Sequence, residues 1–250
     1  MTRPRPAVIA HRGLPTAFPE NTLSGLSRAC QPPHLADGVE FDVRFSVDDR
    51  VYVFHDATTD RLTGSPGTLE DRRGEEVDGL RISGEHVPEL GQVVSCLRSQ
   101  GRPHAPIQLN VEVKLPRDPA RAVALLGPIL DPLVDDPRVS LVVSSFDPRV
   151  LARAREAHAP WRLALLYETL DALSCLPLLE GQSPVDLHPA QELVTPEHLA
   201  ELGRLSSAQT PTVRVWTVDD PARALALAQM GVQAIITNVP ARLRRALWSC

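Results

Sequence analysis

Four stretches in the first half of the chain carry ionisable groups at or near the ends of apolar runs. They are Ile9-Ala10-His11-Arg12-Gly13, Val39-Glu40-Phe41-Asp42-Val43, Val51-Tyr52-Val53-Phe54-His55-Asp56 and Asn110-Val111-Glu112-Val113-Lys114. A strand that only filled a core would not carry such groups, because burying an unpaired charge is costly. Residues two apart on a strand point the same way, so Glu40 and Asp42 project together, and Glu112 shares a face with Lys114. Three carboxylates meeting at one point would raise each other's pKa values unless a cation lay between them. All-oxygen ligation suits a hard ion, Mg²⁺ or Ca²⁺, rather than zinc. The competing reading is that Glu40 and Asp42 are neutralised by ion pairs with Arg12, Arg44 or Lys114. His11 and His55 titrate near neutrality and suit proton transfer, although a lone histidine is more often structural. Arg12 offers a planar fork suited to a phosphoryl group, with a surface ion pair as its plain alternative. Phe18-Pro19-Glu20-Asn21-Thr22 reads as a helix start with a polar cap, or as a turn from which Glu20 reaches back beside His11. Together these groups could run a metal-assisted attack on a phosphodiester.

The elements that must position them alternate. Strand patterns fall at 7–10, 39–43, 108–113, 140–144, 162–167, 185–188, 212–216 and 234–237, and most gaps between them hold a helical period. Asp118-Pro119 opens one helix, with Val123, Leu126, Leu130 and Leu133 on one face. Thr195-Pro196 opens another with the stripe Leu199, Leu202 and Leu205, and Asp220-Pro221 opens a third that Gly231 closes. Eight strand–helix repeats in a chain of 250 residues predict an α/β fold, a closed (β/α)8 TIM barrel rather than an open doubly wound sheet. The stretch from about 46 to about 106 breaks the alternation and reads as a small insertion after strand 2, within a single domain spanning 1–250. Within it, Val51–Phe54 can pair back on strand 2 through the polar turn Asp48-Asp49-Arg50.

Composition excludes several classes. The net charge is -5 and no basic stripe appears, which argues against nucleic-acid binding. Cys30, Cys96, Cys175 and Cys250 are widely spaced, form no Cys-x-x-Cys pair and read as reduced, incidental thiols. The apolar run behind the basic Met1–Pro6 stretch is too short for a secretory signal, and no stretch is long enough to span a membrane. The expectation is a cytoplasmic protein acting on a small molecule, without stable membrane insertion.

In order along the chain, His11-Arg12-Gly13, Pro19-Glu20-Asn21-Thr22, Glu40-Phe41-Asp42-Val43, His55-Asp56, Glu112-Val113-Lys114, Trp216-Thr217-Val218-Asp219 and Ile236-Thr237-Asn238 resemble the motifs of the glycerophosphodiester phosphodiesterase family. Any one is weak; the ordered set covers nearly the whole chain. The resemblance implies a barrel with one divalent cation, Mg²⁺ or Ca²⁺, on Glu40, Asp42 and Glu112. It implies His11 and His55 as the acid–base pair, Arg12 and Lys114 beside the phosphate, and Glu20 and Asn21 in support. It implies an insertion covering the mouth and release of sn-glycerol 3-phosphate and an alcohol. Trp216 matches a residue that lines the alcohol pocket, with a buried core tryptophan as its alternative. His188, ending strand 6, is placed to reach that pocket but carries no motif. The turn after strand 2 lacks the family's common glycine, and Arg61 to Gly67 follows its threonine- and glycine-rich run only loosely, which leaves substrate choice open. The alternatives are a lysophospholipase D-like phosphodiesterase, which should show an apolar entrance, and an inactive phosphate-binding barrel. An isomerase or lyase barrel would need a glycine-rich phosphate loop late in the chain, and Thr237-Asn238-Val239-Pro240 is a poor match.

Overall fold

The computed structural model describes residues 5–100, 105–179, 185–204 and 211–248. Strands β1 (Ala7–His11), β2 (Gly38–Phe45), β6 (Ile107–Val113), β7 (Val139–Ser145), β8 (Arg162–Tyr167), β9 (Asp186–Pro189), β10 (Arg214–Val215) and β11 (Ala234–Thr237) form one sheet. Each pairs in parallel with the next, and β11 pairs with β1. Between β9 and β10 the ladder reduces to the parallel bridges Leu187–Val213 and Ala190–Trp216, which close the ring. The architecture is a (β/α)8 TIM barrel. The expected strand at 212–216 shrinks to Arg214–Val215 because its neighbours hold single bridges rather than a continuous ladder.

Helices α1 (Leu23–Ala29), α4 (Leu90–Ser99), α5 (Pro119–Val134), α6 (Pro148–Glu156), α7 (Pro196–Leu202), α8 (Pro221–Met230) and α9 (Pro240–Trp248) follow barrel strands. Their starts obey the expected chemistry. Asp118, Asp147, Thr195 and Asp220 accept the first free backbone N–H groups, and each precedes a proline whose missing N–H costs the first turn nothing. Gly231 ends α8 at φ +91°, a left-handed cap. Val123, Leu126, Leu130 and Leu133 are all buried, as their spacing predicts. Leu205, the last of the expected α7 stripe, lies outside the described residues, as do Cys250 and the first four residues.

Strand faces divide cleanly. Val39, Phe41 and Val43 of β2 join the large apolar layer beneath the helices. Inside the barrel, Ile9, Ala234 and Ile236 pack with Ala7 and Trp216. Gly38 makes the β2–β6 contact possible, because a Cβ there would lie 2.0 Å from the Gln108 carbonyl oxygen. Gly38→Ala is expected to lower stability by about 3 kcal/mol or more, the upper end of overpacking costs. Chemical denaturation monitored by far-UV circular dichroism checks this, and an unchanged midpoint would contradict the close approach.

The chain between β2 and β6 carries β3 (Val51–Val53), α2 (Asp60–Thr63), α3 (Gly74–Asp78), the hairpin β4 (Arg81–Ile82) and β5 (Glu85–His86), and then α4. β3 turns back antiparallel on β2, with Val43 opposite Val53 and Phe45 opposite Val51. Beyond it, Tyr52, Phe54, Leu69, Val77, Leu80, Ile82 and Val87 form a separate small core. The Tyr52 hydroxyl donates within reach of both Asp78 and the Gly74 carbonyl, each at 3.0 Å.

Candidate active site

The C-terminal ends of β1, β2 and β6 are neighbours, and their ionisable side chains meet there. Oxygens of Glu40, Asp42 and Glu112 lie within 4.8 Å of one another, and all three residues are buried. Burial, reinforced by the charges of Asp42 and Glu112, holds the Glu40 carboxyl well above its usual range. Burial and then Asp42 push Glu112 up to about 7. Asp42 goes the other way: burial opposes its charge, but Lys114 and Arg12, with His55 and the Asn21 hydrogen bond, outweigh it. Lys114 places its ammonium 3.0 Å from Asp42 Oδ1 and against Glu112 Oε1. Arg12 Nε lies 3.3 Å from Asp42 Oδ2, and the Arg12 backbone N–H donates to Glu40 Oε2 at 3.0 Å.

Both sequence readings of the carboxylates therefore meet in one place: they are ion-paired to Arg12 and Lys114, and they converge. Among the described residues Arg44 forms no close ion pair with Glu40 or Asp42; its Nε donates to the His55 carbonyl at 2.7 Å, and the Asp42 charge reaches it only from further off. The ion pairs leave something over. Glu40 Oε1 is buried with no hydrogen-bond partner among the described residues. A buried carboxylate oxygen without a donor, two carboxyls pushed up by burial and mutual repulsion, and an all-oxygen donor set fit a hard divalent cation.

His11 and His55 flank this group. His11 Nε2 is 3.8 Å from Glu40 Oε2, and its Nδ1 lies 2.8 Å from Asn238 Oδ1. His55 Nδ1 lies 2.7 Å from Asp56 Oδ1. Each ring is thus held through Nδ1. Burial lowers the pKa of both imidazoles, with Arg12 adding to the effect at His11 and Asp42 opposing it at His55.

The turn after β1 is built for this placement. Arg12 and Asn21 both adopt left-handed backbone, at φ 49° and 57°, and the Arg12 carbonyl accepts the Asn21 N–H at 3.0 Å. Such conformations persist in non-glycine residues only where the surroundings hold them. Gly13 sits at φ +85°, where a Cβ would come within 2.8 Å of the Gly25 and Leu26 backbone. Asn21 then bridges to β2, donating to Asp42 Oδ2 at 2.8 Å and accepting from the Asp42 N–H at 3.3 Å. Thr22, not Glu20, caps α1. Glu20 reaches the mouth and accepts from Arg12 Nη1 at 3.0 Å.

A model of the glycerophosphoryl diester phosphodiesterase family matches residues 11–242. The chain belongs to that family. It is 27% identical to a glycerophosphodiester phosphodiesterase from Caldanaerobacter subterraneus, over 94% of this chain and 95% of the relative. Among solved structures it resembles a phosphodiesterase from Oleispira antarctica in complex with the product sn-glycerol-3-phosphate, with TM-score 0.82 and 23% identity over 97% of each chain. It also resembles a glycerophosphodiester phosphodiesterase from Parabacteroides distasonis, with TM-score 0.79 and 22% identity, covering 99% of this chain and 98% of the other.

Within this family member, Trp216 and His188 take the places their strands dictate. Trp216 is half-buried; its Nε1 donates to the His188 carbonyl at 2.7 Å and its ring meets Phe146 edge-on at 5.4 Å. His188 is fully buried, and neither ring nitrogen has a hydrogen-bond partner among the described residues. Burial and then the Arg214 charge push its pKa far down, so it stays neutral.

Sequence reasoning missed Arg61. It lies on α2, donates to Asp56 at 2.5 and 2.9 Å, and donates to Glu20 at 2.7 and 3.1 Å. One guanidinium thus holds the partner of His55 and the partner of Arg12. With Arg12 it also adds positive charge beside the second group of potential ligands, Glu20, His55 and Asp56. No local pattern announces a residue whose partner lies 41 positions away. Arg61→Ala is expected to change stability by less than about 1 kcal/mol, because the residue is half exposed. Its effect on kcat/KM is expected to be larger, about tenfold, because two facing groups lose their anchor. Parallel melting curves and steady-state kinetics check this, and a variant as active as wild type would remove Arg61 from the site.

Proposed function

We propose that this protein hydrolyses glycerophosphodiesters to sn-glycerol 3-phosphate and an alcohol, with Glu40, Asp42 and Glu112 holding one Mg²⁺ or Ca²⁺ ion. The observation that carries this reading is the convergence of those carboxylates, His11, His55, Arg12 and Lys114 at one end of the barrel. Family membership and the product complex of the Oleispira relative support it.

When bound, the divalent ion offsets charge on the phosphoryl oxygens. Arg12 and Lys114 add positive charge beside it, each raised in pKa by neighbouring carboxylates against the cost of burial, with Asp42 the largest contributor. The attacking oxygen comes from water or from the glycerol hydroxyl next to the phosphate. One imidazole takes its proton as the new P–O bond forms. The other protonates the alcohol oxygen as the old P–O bond breaks. Asn238 and Asp56 hold the rings by Nδ1, which leaves both Nε2 atoms for these transfers.

The segment 46–106 serves in this reading as an insertion covering one side of the mouth. An open pocket of about 470 Å³ lies beside Glu20 and Arg61, with Thr16, Phe18, Ile82 and Ser83 on its walls. Hydroxyl and charged groups on those walls favour a small polar head group over the acyl chain of a lysophospholipid. The test is release of glycerol 3-phosphate from glycerophosphocholine and glycerophosphoglycerol in EDTA and with added Mg²⁺ or Ca²⁺. Metal-dependent release is the expected result. No release with either ion from folded protein would overturn the assignment.

A further inference from the structure

We infer that Asp219 and Asn238 are positioning residues that fix which nitrogen of His11 carries the proton, an inference that takes His11 to be the proton-transfer group proposed above. Asp219 follows β10 and Asn238 follows β11. Asn238 Nδ2 donates to Asp219 Oδ2 at 2.7 Å, and the Asn238 backbone N–H donates to Asp219 Oδ1 at 2.8 Å. The Thr237 hydroxyl donates to the same Oδ1 at 2.9 Å.

A carboxylate only accepts, so it dictates the direction of the next bond. The Asn238 amide must turn its NH₂ to Asp219, and its carbonyl oxygen is left facing His11 Nδ1 at 2.8 Å. That oxygen cannot donate, so Nδ1 must carry the hydrogen. The neutral ring then has its lone pair on Nε2, the nitrogen on the Glu40 side. Asp219 thus sets the His11 tautomer from one residue further out. At His55 the corresponding acceptor, Asp56, touches the ring directly.

The logic predicts the effects of exchanging acid and amide. In Asp219→Asn, an NH₂ group would face the NH₂ of Asn238. Turning the 219 amide relieves that clash only by setting its NH₂ against the Asn238 backbone N–H, which can only donate. Rotating the Asn238 amide instead relieves it by presenting NH₂ to His11 Nδ1, which forces the proton onto Nε2. Pairing that change with Asn238→Asp gives every bond a donor and an acceptor again: the 219–238 side-chain bond runs the other way, the 219 amide donating to the 238 carboxylate, and His11 Nδ1 donates to its other oxygen.

The experiment compares wild type, Asp219→Asn, and Asp219→Asn with Asn238→Asp. Steady-state kinetics are combined with long-range ¹H–¹⁵N spectra of the His11 ring at a pH where it is neutral. Expected for Asp219→Asn is a kcat lower by about 10- to 100-fold, the range for losing an outer hydrogen-bond partner, with KM little changed. Its His11 spectrum should shift toward protonated Nε2, and the double variant should recover both the wild-type spectrum and most of kcat. A folded Asp219→Asn protein with wild-type tautomer and kcat overturns the inference, as does a folded double variant that recovers neither. The spectra need no turnover, so they report on the relay even if the proposed substrates are wrong.

Discussion

Glu40→Gln is expected to lower kcat by about a thousandfold while leaving the metal-free protein at least as stable as wild type. The activity loss follows from removing one of three ligands for an ion whose charge stabilisation is worth several kcal/mol, at about 1.4 kcal/mol per tenfold. The stability result follows from the electrostatics of the empty cluster. Folding buries Glu40 beside Asp42 and Glu112, with its Oε1 unpartnered among the described residues, so its charge opposes the fold. A glutamine of the same shape keeps a carbonyl for the Arg12 N–H and removes that charge.

The pH dependence has a definite sign. Folded-state pKa values for Glu112, at about 7, and for Glu40 lie above those of the unfolded chain. Between the two, the folded state binds more protons. Stability of the metal-free protein from these groups therefore falls as pH rises from the ordinary glutamate range through about 7. Added Mg²⁺ or Ca²⁺ should flatten that fall in wild type, and Glu40→Gln should flatten it without metal. Thermal melts in chelator across this window, beside steady-state rates, check both claims. A Glu40→Gln enzyme with near-normal turnover would sink the metal assignment.

The second large effect concerns the two histidines. His11→Gln and His55→Gln are each expected to lower kcat by about 10²- to 10⁴-fold. Neither belongs to the Glu40, Asp42 and Glu112 group proposed to hold the ion, so Mg²⁺ or Ca²⁺ binding at that group, measured by calorimetry, should stay close to wild type. If the pair runs one proton-transfer cycle, the double variant should be little worse than the poorer single variant. Singles whose losses multiply fully in the double would instead indicate independent roles. Lost ion binding in either single would make that histidine a ligand rather than a proton carrier.

How much of this was legible depended on the range of the interaction involved. Barrel strands and helix starts are local matters. A period-two face, an Asp-Pro or Thr-Pro start and a left-handed glycine stop act within a few residues, and the structure places the helix starts where the pattern does, while the strand pattern at 212–216 shrinks to Arg214–Val215. The shared face of Glu40 and Asp42 follows from the geometry of one strand, as does that of Glu112 and Lys114. Glu20 was ambiguous because capping and reaching back to the mouth begin from the same turn. Thr22 took the cap and Arg12 took Glu20.

What the sequence by itself determined is therefore the alternation of elements, the face on which each charged side chain emerges, and the ordered motifs that carry the family. Only the tertiary structure decided which faces meet. β2 lies between β1 and β6 although about sixty residues separate it from β6, and β11 returns to β1 across the length of the chain. That closure sets Asn238 on His11 and Asp219 on Asn238, and the segment between β2 and β6 sets Arg61 between Glu20 and Asp56. It also buried His188, whose position at a strand end suggested access to the pocket. The reason is physical. Side-chain direction along a strand is fixed by the backbone within two residues. A hydrogen bond between groups brought together by ring closure depends on the packing of every strand between them.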